Sequence, residues 1–294
     1  MKRFALIGAG GYIAPRHMIA INDTKNDLVS ILDPNDSVGM IDKYFPNASY
    51  FSEYERFDRH IDRLNRTNKG VDYVSIASPN YLHDAHIRFA LKNGSHAICE
   101  KPLVLNPYSL NSLKELEKET GKNVYTILQL RLHPSIIKLK EKIEKSSRKN
   151  HKIVLNYTTP RGSWYHYSWK GDFEKSGGIA TNIGIHFFDM LMWIFGGVKN
   201  SYVESHTNMK ANGYLELERA NVDWNLSIDS RDLPHDEWKP FRSITVDGDE
   251  VEFSDGFTDL HTESYKQILN GNGFGINDAI PSLELVHQIR NSKT

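Results

Sequence analysis

Phe4-Ala5-Leu6-Ile7-Gly8-Ala9-Gly10-Gly11-Tyr12-Ile13 opens the chain as an unbroken apolar run that stops on glycines. Such a run reads as a strand buried on both faces, the habit of parallel sheets. Ala14 to Thr24 follows with helical character. Strand, glycine turn and helix in that order is the context in which a glycine motif means nucleotide binding. Gly8 permits the tight turn, and Gly10 lets backbone approach a pyrophosphate. The helix start offers N–H groups and partial positive charge to that phosphate. Ile13 stands where G-x-G-x-x-G has its third glycine. That glycine mainly serves helix–strand packing, so its absence weakens the motif without cancelling it. Gly8, Gly10, Gly11, Tyr12 and Ile13 are therefore the first cofactor-binding candidates.

Moving outward, Leu28 to Leu32 is a second buried-type strand and ends on Asp33, 25 residues after Gly8. The roughly 20-residue spacing of an acid that binds the adenosine ribose is somewhat shorter. A carboxylate here accepts from both ribose hydroxyls and repels a 2′-phosphate. Pro34-Asn35-Asp36 follow and supply no arginine, which points to NAD rather than NADP. An Asp-Pro turn fits the same position. Helical spacing marks residues 38–44 and 54–67, with a short strand at 49–51 between them.

Val71 to Ile76 is the next strand, running into Ala77-Ser78-Pro79-Asn80-Tyr81-Leu82-His83. Ser78, Pro79 and Asn80 belong at the carboxyl edge of the sheet, beside the nicotinamide half of a dinucleotide. His83 joins them as a weaker candidate, since a histidine opening a helix is more often structural. A helix over 83–93 ends at Gly94, and His96 to Cys99 is a strand closing on Glu100-Lys101-Pro102. A lysine at that point faces cofactor and substrate together, and Pro102 makes a cis peptide possible. A plain surface Lys-Pro turn is the alternative. Asn106 with Pro107 reads as a helix start and Gly121 as its C-cap. Strands alternating with helices this regularly make a doubly wound parallel sheet. The first domain is expected over 1–128 and the second over 129–294, with Glu100 and Gln129 added to the cofactor candidates.

The second half changes character. After a basic helix at 134–149 and a strand at 153–157 comes Arg161-Gly162-Ser163-Trp164-Tyr165-His166-Tyr167-Ser168-Trp169-Lys170. Trp and Tyr offer flat apolar faces suited to sugar rings. Arg161 and Lys170 suit a carboxylate or diphosphate. An oligomer contact would use the same residue types. Gly177 to Asp189 leads into an apolar helix ending near Phe195. Asn182, His186 and Asp189 fall at i, i+4 and i+7, so one helix face carries all three. That face is largely buried and its polar groups need partners. A lone His there would be a core histidine, and a metal site lacks further ligands at suitable spacing. From Tyr202 to Phe253 the pattern alternates, with Asp247-Gly248 as a hairpin turn, and helices at 258–270 and 278–291 finish the chain.

The chain has 294 residues, 39% of them hydrophobic and 25% charged, with net charge −1. That suits two globular α/β domains and gives no electrostatic case for nucleic acid or an anionic membrane. One cysteine excludes an internal disulfide and a cysteine-rich zinc site. The basic start at Lys2-Arg3 is followed by an apolar run too short for a signal sequence. No membrane span is expected, and a cytoplasmic location follows as the expectation.

The glycine turn, Glu100-Lys101-Pro102 and GG-x₃-N-x-G-x-H-x₂-D at 177–189 resemble the Gfo/Idh/MocA oxidoreductases over nearly the whole chain. GYIAPRH at 11–17, DPNDSVG at 33–39, RGSWYHYSWKGD and GGIATNIGIHFFDML narrow the likeness to dehydrogenases of UDP-N-acetyl-2-amino-2-deoxyglucuronate (WlbA/WbpB type) in bacterial surface-polysaccharide synthesis. The resemblance implies an N-terminal Rossmann domain and an α+β domain with a large open, mostly antiparallel sheet. It implies NAD-dependent oxidation of the sugar C3 hydroxyl ahead of an amination. A homotetramer assembled through the second sheet, a UDP-activated amino-uronic sugar as substrate and 2-oxoglutarate as possible hydride acceptor also follow from it. The family's catalytic lysine and histidine map onto Lys101 and His186. Asn182 replaces an Asp common in the family, which argues against an Asp–His relay and for a role orienting the substrate hydroxyl. Arg161 with Tyr165 or Tyr167 is the candidate set for the uronate carboxylate. A dehydrogenase of another sugar or inositol, or an NAD-sensing regulator without activity, are the competing expectations.

Overall fold

The computed structural model describes residues 1–36, 38–251 and 259–292. Expectations that fell on Ser37, Glu252, Phe253 and Thr258 lie outside them. The chain divides into two compact units. The first is Met1–Gln129 joined by the later stretch up to Ala279, and the second is the intervening chain with the residues from Ile280 on. The sequence reading assigned everything after residue 128 to the second domain, so the late return to the first unit is a departure from it.

The first unit runs β1 (Arg3–Ile7), α1 (Ala14–Asp23), β2 (Asp27–Leu32), α2 (Met40–Tyr44), β3 (Ser49–Phe51), α3 (Tyr54–Arg66), β4 (Tyr73–Ile76), α4 (His83–Lys92), β5 (His96–Cys99), α5 (Ser109–Thr120) and β6 (Val124–Thr126). Its sheet has the order β3-β2-β1-β4-β5-β6 with every pair parallel. This is the doubly wound arrangement, and the order reverses between β1 and β4. Phe4, Leu6, Ile31, Val74 and Ile98 are fully buried, which is why the strands read as continuous apolar runs. Gly121 ends α5 in the left-handed conformation at φ +64. That helix starts at Ser109 rather than at Pro107, because the Asn106 side chain accepts from the Tyr108 N–H and closes a turn first.

The second unit contains α6 (Pro134–Lys145), β7 (His151–Thr158), α7 (Trp164–Tyr167), α8 (Phe173–Ser176), α9 (Ile185–Phe195), β8 (Val198–His206), β9 (Lys210–Leu217), β10 (Ala220–Ser227), β11 (Phe241–Val246) and β12 (Asp249–Glu250). Its sheet has the order β12-β11-β7-β10-β9-β8. Only β7 with β10 is parallel; the other pairs are antiparallel. Along β10, Val222, Trp224 and Leu226 point inward while Asp223 and Asn225 are exposed, the alternation the sequence shows. Asp247 and Gly248 take φ +57 and +94 at the β11–β12 turn, as a two-residue hairpin demands. Among the described residues one helical run, Phe173–Phe195, is long and apolar enough by composition to cross a membrane, which the sequence reading did not expect. Its window is 78% buried within the fold and Gly177 breaks it at φ +82, so it is a core segment. The last helices are α10 (Leu260–Leu269), which belongs to the first unit and packs on α1, and α11 (Ile276–Arg290).

Candidate active site

Gly8 ends β1 at φ +93, and a Cβ there would lie 2.5 Å from the Ala77 carbonyl carbon and the Ser78 nitrogen. Both its conformation and the close passage of the chain after β4 therefore require glycine. Gly10 donates its N–H to Asp33 Oδ2 at 2.7 Å, and the Asn35 N–H donates to Asp33 Oδ1 at 2.8 Å. A Cβ on Gly10 would crowd that carboxylate at 3.2 Å, a second reason for glycine beyond access to phosphate. Asp33 is thus held, at the end of β2, by two backbone donors. Gly11 and Tyr12 are exposed on the turn, and Ile13 precedes α1 without a side-chain cap.

Ser78 and Asn80 are buried in the loop after β4, with Pro79 between them. Ser78 Oγ lies 2.9 Å from His86 Nδ1 on α4. Burial lowers the His86 pKa to about 4, so that ring is neutral at pH 7. Gln129 keeps a buried Oε1 with no hydrogen-bond partner among the described residues. The glycine cradle, the anchored Asp33 carboxylate and the orphaned Gln129 oxygen fit a dinucleotide.

Glu100 and His83, both proposed from sequence as cofactor ligands, are placed differently. The Glu100 carboxylate is buried, with Oε1 accepting from His17 Nε2 at 3.1 Å and His261 Nε2 at 2.8 Å. Burial alone would raise its pKa, but the two imidazoles outweigh it and hold the carboxyl well below the usual range. His17 Nδ1 sits 2.7 Å from Tyr265 Oη, which is 2.6 Å from Ser75 Oγ. One set of donors joins the chain: Ser75 donates to Tyr265, Tyr265 to His17 Nδ1, and the Nε2–H groups of both histidines to Glu100, while His261 Nδ1 is buried with no partner among the described residues. The ligand-capable atoms of His17, Glu100 and His261 lie within 4.8 Å of one another, a spacing compatible with a metal. Two N–H groups directed at one carboxylate account for it without one. Lys101 follows directly, and the Lys101–Pro102 peptide is cis. Sequence reasoning missed His261 and Tyr265, because no local pattern ties α10 to Glu100. His17 was visible only as a polar residue in an apolar helix.

In the second unit, residues 180–184 form a π-helical segment leading into α9. Such bulges recur at functional sites. From Ile179 to Met192 only Asn182 and His186 escape full burial. Asp189 does not share their exposure. It forms a two-pronged ion pair with Arg131, Nε–Oδ2 2.9 Å and Nη2–Oδ1 2.7 Å, both side chains at most 9% exposed. The i, i+4, i+7 grouping thus separates into two partly exposed groups and one core anchor. Asn182 donates to the buried Tyr165 hydroxyl at 3.0 Å. Arg161 has its Nε buried with no partner among the described residues. The Lys170 ammonium lies 5.4 Å from the Trp164 ring centre and 5.7 Å from that of Trp169. Burial, then the nearby Arg161 charge, lowers the Lys170 pKa. A cation held against two indole rings, with the Arg161 charge acting on it, makes a site that favours an anion. Tyr167 is 92% exposed at the surface of the same loop.

Residues 2–127 match the family described as oxidoreductase, NAD-binding Rossmann fold, and residues 151–230 match its C-terminal alpha/beta domain. The chain belongs to the Gfo/Idh/MocA oxidoreductases. NAD is the dinucleotide of this family's Rossmann domain. The WlbA (WbpB) dehydrogenase of Thermus thermophilus, crystallised with NAD and alpha-ketoglutarate, is 50% identical with a TM-score of 0.96, covering 100% of this chain and 96% of that one. The same enzyme with NAD and UDP-GlcNAcA matches at 49% identity, the same TM-score and the same coverage. Glucose-6-phosphate 3-dehydrogenase of Bacillus subtilis is 28% identical over 205 residues, 66% of this chain and 54% of that enzyme. The chain thus spans about half the length of that relative.

Proposed function

We propose that this oxidoreductase converts the C3 hydroxyl of UDP-N-acetylglucosaminuronic acid to the 3-keto sugar, with NAD as hydride acceptor. The observation that carries the reading is the Lys170 ammonium against the Trp164 and Trp169 rings, with the Arg161 charge acting on both Lys170 and Tyr165, an arrangement suited to an acidic sugar. The 49% identity over the full chain to an enzyme crystallised with UDP-GlcNAcA supports the same choice. A neutral inositol or sugar would leave both cations without a counter-charge.

Bound NAD supplies the hydride acceptor. As the C3–H pair leaves, the hydroxyl must lose its proton, and a base within hydrogen-bond reach has to take it. His186 is that base in this proposal. Lys101 donates a hydrogen bond to the same oxygen and passes the proton on. Asn182 orients the hydroxyl and Arg161 holds the uronate carboxylate with Tyr165 or Tyr167. The anchored Asp33 carboxylate repels a 2′-phosphate and favours NAD over NADP. Reduced cofactor is reoxidised by 2-oxoglutarate, whose keto carbon takes the hydride and whose oxygen takes a proton. The neighbour crystallised with alpha-ketoglutarate supports this.

The product is a building block for a surface polysaccharide such as O-antigen. The enzyme works in the cytoplasm, where NAD and nucleotide sugars are found, as a homotetramer joined through the open face of the second sheet; light scattering tests the assembly. The function itself is tested by absorbance at the reduced-nicotinamide band after mixing enzyme, NAD and UDP-N-acetylglucosaminuronic acid. A burst of NADH that disappears on adding 2-oxoglutarate is expected. Turnover of inositol with none of the UDP-uronate would replace this reading with the neutral-polyol one. No turnover of any sugar, with NAD bound, would revive the silent-regulator reading.

A further inference from the structure

Lys101 stands between two residues that are each pinned from inside the first unit. On one side the Glu100 carboxylate is caged by His17 and His261. On the other, the Pro102 carbonyl oxygen lies 2.7 Å from His83 Nδ1. The second ring nitrogen of His83, Nε2, lies 2.9 Å from the Ser78 carbonyl oxygen. The ring is wholly buried. Pro102 belongs to the lysine turn after β5, while Ser78 opens the Ser78-Pro79-Asn80 loop after β4. One imidazole at the start of α4 therefore bridges the two loops at the carboxyl edge of adjacent parallel strands.

We infer that His83 is a positioning residue: it ties the lysine turn to the Ser78–Asn80 loop through its two ring nitrogens and so sets the catalytic lysine relative to the nicotinamide. The assignment rests on the role proposed above for Lys101. A carbonyl oxygen only accepts, so each contact requires a hydrogen on the facing nitrogen. The groups whose charges act on the ring are Glu100, which favours its cation, and Lys101, which opposes it. His86, one turn along α4, holds the same Ser78 from its hydroxyl side. Burial is the largest influence and lowers the ring's pKa, while the hydrogen bonds to the Pro102 and Ser78 carbonyls act in the opposite direction.

Amide side chains separate the two tethers. Asn places an N–H close to the position of Nδ1 and Gln close to that of Nε2. His83→Asn keeps the link to Pro102 and releases Ser78; His83→Gln does the reverse. Three readouts are taken on the full-length protein: NAD dissociation constant, kcat with the UDP-uronate, and hydrogen–deuterium exchange of the peptides covering 77–81 and 100–104. His83→Gln is expected to speed exchange at 100–104 and lower kcat about tenfold, the worth of one buried hydrogen bond, with NAD affinity changed less. His83→Asn is expected to speed exchange at 77–81 and weaken NAD binding about tenfold, with kcat changed less. Identical effects of the two variants on all three readouts, or no effect of either, would overturn the inference. Should neither variant fold, nitrogen NMR of histidine-labelled wild type decides. A His83 ring N–H protected from solvent supports the tether, and one exchanging rapidly refutes it. If wild type shows no turnover, the functional proposal falls while affinity and exchange still decide the role of His83.

Discussion

Asp189→Asn should destabilise the second unit far more than the loss of one surface charge would. The Arg131 guanidinium meets both Asp189 oxygens, at 2.9 and 2.7 Å, with side chains only 9% and 3% exposed. Removing the charge of one member of a buried, hydrogen-bonded ion pair costs about 3 kcal/mol or more. With a urea slope of about 2 kcal/mol per molar for a unit of this size, the midpoint should fall by roughly 1.5 M. The assay is specific by construction. All five tryptophans, Trp164, Trp169, Trp193, Trp224 and Trp238, lie in the second unit, so their fluorescence follows it alone. Replacing both partners, Arg131→Met with Asp189→Leu, removes the remaining charge as well and should recover most of the loss. A midpoint shift below about 0.5 M for the single variant would refute the argument, as would a double variant no better than the single one.

Acid should weaken the first unit before its carboxylates protonate. His86, buried with its pKa at about 4, takes up its proton in the unfolded chain near 6.5, so stability is full above that value and is lost as pH falls towards 4. This amounts to about 2 kcal/mol between pH 7 and pH 5. His17 and His83, lowered by burial, act in the same direction. A His86→Asn variant should flatten the melting temperature's dependence on pH over that range, and an unchanged slope would count against it. His186→Asn should lower kcat at least a hundredfold, the lower end of the usual contribution of a general base, and abolish the limb of the pH–rate profile that His186 supplies. A profile equal to wild type would reassign the base. Arg161→Lys should raise KM for the UDP-uronate about tenfold by losing the two-pronged grip on a carboxylate, while NAD affinity measured by titration stays unchanged.

What the sequence determined by itself was the alternation. Buried parallel strands must be continuously apolar and their turns must carry glycine, so β1 to β6, the glycine turn and the place of Asp33 were legible from residue order. So was the second sheet, because period-2 alternation is a direct image of a sheet with one buried face. Gly10 illustrates the limit. Its absence of a side chain was readable, but its hydrogen bond to Asp33 was not. Helical spacing alone put Asp189 on one face with Asn182 and His186. The π-helical segment and the approach of Arg131 made it a core anchor instead. Glu100 and His83 looked like cofactor ligands because they flank the right loops, yet their side chains turn inward to partners up to 161 residues away. Only the tertiary structure decided these cases. Local pattern records which residues are buried, whereas the identity of a buried polar group's partner depends on which distant elements the fold brings against it.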